Sequence, residues 1–246
     1  MEIISINEPN LVEKSIKCLM DGKILIYPTE TCYGAGVDST NSGAVLKVLK
    51  YKKRPQGKAI SIAVDSFNSA KKYVMVNKTA DKIYRSFLPG PVTVISKSLG
   101  KVDKRLESEN GNLGVRIPNY SLLLKILKGF KKPITSTSAN SSGKKNPYSI
   151  SDILNNLSSK QKELVNLIID AGELPHNPPS TVIDTTTEDL ITYRQGRVRF
   201  GSGSRIKVIK TVSDEETLNA GIRLLNTFTS EQFKNPIILL LDGELG

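Results

Sequence analysis

Residues 23–36 read KILIYPTETCYGAG. The run 23–28 is short, apolar and closed by a proline, which predicts a buried strand. TETCYGAG, with its glycines, predicts an exposed loop at that strand's carboxyl end. Upstream, residues 10–20 carry an apolar stripe at Leu11, Ile16 and Leu19 and stop at Asp21-Gly22, which predicts a helix. A helix, a strand and a glycine-bearing loop are the start of an open α/β sheet, a fold that binds ligands at strand ends. Downstream the same alternation continues. Helices are predicted at 42–52, 66–73, 78–87, 121–128 and near 149–156, and strands at 59–64, 91–97, 114–118, 133–137, 167–171, 180–184 and 190–193.

A chain of 246 residues holds one large α/β domain, or a domain of about 200 residues with an appendage. No apolar run approaches the roughly 18 residues of a membrane helix. The N-terminus MEIISINEPN lacks a signal pattern. A cytoplasmic protein with no membrane partner is expected. Cys18 and Cys32 have no metal or redox spacing and read as plain buried thiols. The net charge is +11, and the windows 39–64, 110–151 and 190–213 contain no acid while holding 19 of the 35 cations. Lys125, Lys128, Lys131 and Lys132 read as a solvated face. Three distant acid-free segments, each with a glycine, proline or hydroxyl motif, nevertheless predict a shared anion-attracting cleft suited to phosphate.

Individual residues sharpen this. In ITSTSANSSG (134–143), the hydroxyl and amide side chains from Thr135 to Asn140 make a hydrogen-bonding lip for a small polar ligand. In PTETCYG, strand-like alternation sets the Thr29 and Thr31 hydroxyls side by side and Glu30 opposite. Tyr33 either stacks on a base or fills the core. LKYKKRPQGK places Lys50, Lys52, Arg54 and Lys58 at a helix end and the loop beyond it, where lysines also serve as capping charges. Arg116 lies within an apolar strand, so either a bound carboxylate or an internal acid must face it. His176 is the only histidine, and with no G-x-S-x-G elbow a Ser-His-Asp hydrolase is set aside.

Beyond GSGS at 201–204, a linker candidate that sets a boundary near 206, SDEETLNAGIRLLNTF predicts a helix with Ser213 and Glu216 at capping-box spacing. The strand IILLL then runs into DGELG, the first positions of a phosphate loop without its lysine. This segment resembles the opening of a TsaE-type ATPase, which would make the chain a fusion ending inside its second domain and unable to hydrolyse ATP there.

Taken in order, PTETCYGAG, LKYKKRPQGKAISI, FLPGPVTVI, GVRIP, TSTSANSSG and PSTVID resemble the YrdC/TsaC family of threonylcarbamoyl-AMP synthases across most of residues 10–200. The resemblance implies an α/β fold with a twisted open mixed sheet, helices on both faces and a basic concave cleft. It implies a nucleotidyltransferase that joins L-threonine, bicarbonate and ATP into threonylcarbamoyl-adenylate and pyrophosphate, feeding the t6A modification of tRNA alongside other proteins of that pathway. It implies Lys52 and Arg54 as catalytic residues. Lys52, Arg54, Gln56, Asn112, Ser138, Asn146 and Arg194 would surround ATP. Thr29, Thr31, Ser61, Arg116, Ser136 and Ser180 would surround threonine. With no cluster of ligand spacing, Mg²⁺ is expected through phosphate oxygens and water, not through protein metal ligands. Asn177-Pro178-Pro179 stands where the family more often has glycine, and stiffens the loop before Ser180. Cys32 replaces an aliphatic residue, a packing change. The competing expectation is a non-catalytic module that binds tRNA or double-stranded RNA on the basic face.

Overall fold

A computed structural model describes residues 1–54, 57–187, 190–200 and 213–229, with side chains as far as 223 in the last segment. The chain divides into two compact units, Met1–Phe200 and Gly201–Gly246. The strands of the first are β1 (Glu2–Ser5), β2 (Ile24–Tyr27), β3 (Gly34–Gly36), β4 (Ser61–Ala63), β5 (Val92–Lys97), β6 (Asn112–Arg116), β7 (Ile134–Ser138), β8 (Val165–Asp170), β9 (Thr181–Asp184) and β10 (Ile191–Arg194). They form one mixed sheet in the order β1-β8-β2-β3-β7-β4-β6-β5-β9-β10. The helices are α1 (Leu11–Met20), α2 (Ser42–Lys52), α3 (Phe67–Ala70), α4 (Lys78–Phe87), α5 (Ser121–Phe130), α6 (Ile150–Asn155) and α7 (Ser159–Leu164). The second unit contributes α8 (Asp214–Thr229), whose Glu216 backbone N–H donates to Ser213 Oγ at 3.2 Å. The linker candidate 201–204, the strand expected near 237–241 and the phosphate-loop remnant lie outside the described residues.

Strand β2 shows why the sheet is double-sided. All its residues are buried, but Ile24 and Ile26 join the core under α2 and α4, whereas Leu25 and Tyr27 join the core under α1 and α5. Side chains that alternate with period two need an apolar layer on each face. Leu11, Cys18 and Leu19 of α1 and Leu123, Ile126, Leu127 and Phe130 of α5 form one such layer. Each large side chain buried there contributes about 1.5–3 kcal/mol.

Several expectations are corrected. Residues 29–36 are not an exposed loop. Apart from half-buried Glu30 they are buried, and Gly34–Gly36 is a strand between β2 and β7. No hydrophobic signal marks it, because its glycines make room for Tyr27. A Cβ on Gly34 or on Gly36 would lie 2.7 Å from that ring. The helix expected at 66–73 stops at Ala70, because Met75 N–H donates to Lys97 O and Leu99 N–H to Tyr73 O, drawing the chain toward β5. Strand β1 was not anticipated, since on this sheet edge only Ile4 is buried. Helix α7 was not either, its one buried residue being Gln161.

The helices do not cover the sheet evenly. Over β7, β4, β6, β5 and β9, residues two apart (136 and 138, 112, 114 and 116, 93 and 95, 180, 182 and 184) line a single cavity. Arg116 is the register partner of Ala63, which packs under α1 and α5. The polar half-face is thus a continuation of the face those helices cover, and the expected strand-end site is instead a site on the sheet itself.

Because Tyr27 is 1% exposed and has no room to retreat, Gly34→Ala is expected to destabilise the fold by about 1–3 kcal/mol through overpacking. A lowered urea midpoint with an unchanged slope checks this.

Candidate active site

The cavity has a volume of about 700 Å³, within the usual range for small-molecule sites. Of the residues expected at a site, Thr29, Thr31, Lys52, Arg54, Ser61, Asn112, Arg116, Ser136, Ser138, Asn146, Ser180 and Arg194 all line it. Gln56 lies outside the described residues. The lining cations Lys52, Arg54, Lys58, Arg116, Lys144 and Arg194 all come from the three acid-free windows. Asp184 is the acid among the lining residues, and its Oδ1 accepts from Thr186 N–H at 2.8 Å and from the Thr186 hydroxyl at 2.7 Å.

Lys52, the last residue of α2, is 2% exposed. Its ammonium donates to Ser138 O at 2.6 Å, to Asn140 O, and to Asn140 Oδ1 at 2.9 Å. Ser138 Oγ donates to the same Oδ1 at 2.6 Å, while Asn140 Nδ2 donates to the Lys144 and Lys145 carbonyls. Those donations orient the Asn140 amide with its oxygen toward Lys52. In the sequence Asn140 is legible only as the end of the hydroxyl and amide lip 135–140, with no individual role. Burial, reinforced by nearby Arg54, lowers the Lys52 ammonium to about 8, while its oxygen acceptors oppose that shift by favouring the charged form. The helix end is tied to the lip a second time, since Gln161 Nε2 donates to Tyr51 O and to Ser141 Oγ, each at 2.6 Å.

Lys53 follows with φ 46, a left-handed conformation that turns the chain sharply into the next loop. Arg54 there donates from Nε to Lys58 O at 2.9 Å and from a terminal nitrogen to Ala59 O. A guanidinium carries five donors, so others remain for a ligand.

At the other side Arg116 is 8% exposed. One terminal nitrogen lies 3.0 Å from Thr31 Oγ1 and 3.0 Å from Glu30 Oε1. Of the two possibilities open for Arg116, an internal acid is therefore present. Glu30 Oε1 also accepts from Asn119 N–H at 3.1 Å, yet Glu30 Oε2 and Arg116 Nε are buried without hydrogen-bond partners among the described residues. Thr29 Oγ1 donates to Cys32 O at 2.7 Å, so at the 3.0 Å Thr29–Thr31 contact the proton comes from Thr31. The hydroxyls are adjacent as expected, but through a turn and not strand alternation: Glu30 reaches the same Arg116 nitrogen as Thr31 instead of lying opposite, and Thr29 gives its proton to closing the turn. Asn177 Nδ2 donates to Glu30 O at 2.9 Å, stitching the proline-stiffened loop to this turn. Ser180, 4% exposed, receives Arg194 Nη2 at 2.9 Å and lies 3.0 Å from Thr93 Oγ1. Burial and the charge of Arg116 lower the Arg194 guanidinium. Thr93, buried and mid-strand, carried no sequence signal.

Tyr33 belongs to the core, with its hydroxyl donating to Gly172 O at 2.8 Å. Cys18 and Cys32 are buried free thiols, raised by that burial. His176 is exposed, 3.2 Å from Glu173 and stacked on Tyr148, away from the cavity lining. Among the described residues no group of three or more His, Cys, Asp or Glu could hold a metal. No described helix is long and apolar enough to cross a membrane.

Buried cations, paired hydroxyls and oriented amides around one polar cavity on a mixed sheet define a protein built to hold a small anionic ligand. The chain belongs to the Sua5/YciO/YrdC family, whose description reads "Telomere recombination" and which matches residues 17–196. A Methanocaldococcus jannaschii protein is 34% identical over 201 residues, 80% of this chain and 92% of its own length. A Pseudoalteromonas translucida protein named threonylcarbamoyl-AMP synthase is 30% identical over 183 residues, 72% of this chain and 95% of its own. The crystal structure of P. abyssi Sua5 complexed with L-threonine matches with a TM-score of 0.74 at 28% identity, over 80% of this chain. The present chain spans 58% of that longer protein.

The state of Lys52 has a measurable consequence. Its folded value of about 8 lies below the ordinary 10.5, so between these values the unfolded chain binds more protons than the folded one. Stability from this group therefore rises with pH across that window. Relative to Lys52→Met, the unsubstituted protein is expected to gain stability from pH 8 toward 10.5, and parallel denaturation series over that range check it.

Proposed function

We propose that the cleft condenses L-threonine, bicarbonate and ATP into L-threonylcarbamoyladenylate and pyrophosphate, supplying the threonylcarbamoyl group of t6A at position 37 of tRNA. The observation that carries this reading is the convergence of Lys52, Arg54, Ser138, Arg116, Ser180 and Arg194, from segments far apart in the chain, on one cavity. The names of the relatives above support the same reaction.

In this reading Lys52, Arg54, Gln56, Asn112, Ser138, Asn146 and Arg194 surround ATP, and Thr29, Thr31, Ser61, Arg116, Ser136 and Ser180 surround threonine. The threonine amine captures bicarbonate with loss of water, giving a carbamate. A carbamate oxygen then attacks the α-phosphorus, and the bond to the β-phosphate breaks to release pyrophosphate. No protein nucleophile is required. The protein's contribution is alignment and positive charge where the phosphate charge develops. Lys52 and Arg54 are the catalytic residues, neutralising the leaving pyrophosphate. The Arg116 guanidinium, which lines the cavity and carries five donors, pairs with the threonine carboxylate, beside Thr31, which accepts from Arg116 at 3.0 Å. Mg²⁺ enters as part of the MgATP substrate, consistent with Asp184 being the acid among the lining residues.

A non-catalytic RNA-binding module accounts for the net charge of +11 but not for the buried hydroxyls and the buried Arg116 guanidinium around one cavity. Residues 207–246 retain the reading of a TsaE-type opening, of which α8 is the described part.

Incubation with ATP, L-threonine and ¹⁴C-bicarbonate is expected to release pyrophosphate and label an adenylate, each dependent on all three substrates. Pyrophosphate release indifferent to threonine sinks the reading. Arg116→Ala is expected to raise the threonine KM about tenfold or more, since charge-assisted hydrogen bonds are lost. Arg54→Ala is expected to act mainly on the ATP KM. Steady-state kinetics with each substrate varied in turn separates the two.

A further inference from the structure

One wall of the cavity is left unused by the chemistry above. It is formed by Ile95 of β5, Val182 and Asp184 of β9, and Tyr193 of β10. In the sheet order these strands lie on the far side of β6 and β4 from β7, which leads into the Lys52 clamp. The wall is unsuited to phosphate, because the Asp184 carboxylate would repel it. Apolar branches, an aromatic ring and a hydrogen-bonding carboxylate instead suit a flat, uncharged heterocycle.

Tyr193 owes its place there to an irregularity. Strand β10 pairs with β9 through Ile191↔Asp184 and Thr192↔Ile183, and then jumps to Arg194↔Val182. Tyr193 is the extra residue of a β-bulge. In a regular strand, neighbouring residues face opposite sides, whereas a bulge re-aims one of them. Here Tyr193 and Arg194 both line the cavity. Tyr193 is 64% exposed, while Tyr27, the other aromatic among the described lining residues, is 1% exposed beneath β3. The Asp184 carboxylate lies near the phenol and raises it. An exposed ring turned to a polar cavity by a bulge serves no packing purpose in the core.

We propose that Tyr193 is the platform on which the adenine base of ATP stacks, with Ile95 and Val182 completing that end of the site, so that this residue sets the preference for a nucleotide over a bare polyphosphate. The inference rests on the cleft being the ATP site proposed above.

The chain contains no tryptophan, so Tyr193→Trp in the full chain places a single indole at the wall. ATP and its α,β-methylene analogue, in which the bond broken in the reaction is blocked, are expected to change its emission saturably, and inorganic tripolyphosphate to leave it nearly unchanged. An equal response to tripolyphosphate overturns the proposal, as does no response to ATP when calorimetry shows that the variant binds it. In kinetics, Tyr193→Ala is expected to raise the ATP KM about tenfold, the size of a lost base–aromatic stack, with the threonine KM moving far less. Tyr193→Phe, which keeps the ring, restores the ATP KM. An unchanged ATP KM in Tyr193→Ala overturns the proposal alone. Failure of the unsubstituted protein to bind ATP in calorimetry overturns both this and the function it rests on.

Discussion

The site depends on a lysine ammonium buried at the end of a helix. Removing such a charge from water costs several kcal/mol unless it is well solvated by protein oxygens. Lys52 meets that demand with the Ser138 and Asn140 carbonyls and the Asn140 amide oxygen. The same contacts fasten the hydroxyl lip after β7 to the end of α2, so two segments nearly ninety residues apart are positioned by one group. Gln161 adds a neutral fastening beside it, satisfying a helix-end carbonyl that would otherwise be orphaned.

Across the cavity a different economy operates. Arg116, Thr31 and Thr29 form a directed chain that ends on a backbone carbonyl, and Arg194, Ser180 and Thr93 are linked by hydrogen bonds in a second set. The Thr31 and Thr29 hydroxyls are oriented before any ligand arrives, which reduces the reorganisation needed during reaction. Glu30 keeps Arg116 in place in the absence of a substrate carboxylate. The pair leaves one polar atom on each partner unsatisfied.

The alternation of helices and strands was legible because buried elements here obey simple periods. Ser42–Lys52, for example, has an apolar face and an Asn41 cap. What could not be read were elements without an apolar signal. Gly34–Gly36 is a strand because Tyr27 needs space, and Ser159–Leu164 is a helix whose buried contact is a glutamine amide. At the site, the acid-free windows pointed to a common cleft, and every lining cation among the described residues does come from them. Asn140, Thr93 and Glu30 escaped notice as partners because their importance lies in which distant atom each one touches.

By itself, the sequence determined an α/β chain whose cations, hydroxyls and glycines are segregated into a few motifs, since local period and composition report burial and turn geometry directly. Only the tertiary structure decided that those motifs share one half-face of the sheet, that Arg116 is already paired with Glu30, and that a bulge turns Tyr193 toward the cavity. The physical reason is that strand order, register and hydrogen-bond direction join residues by proximity in space, and period-two or period-3.6 patterns carry no record of which strand will lie beside which.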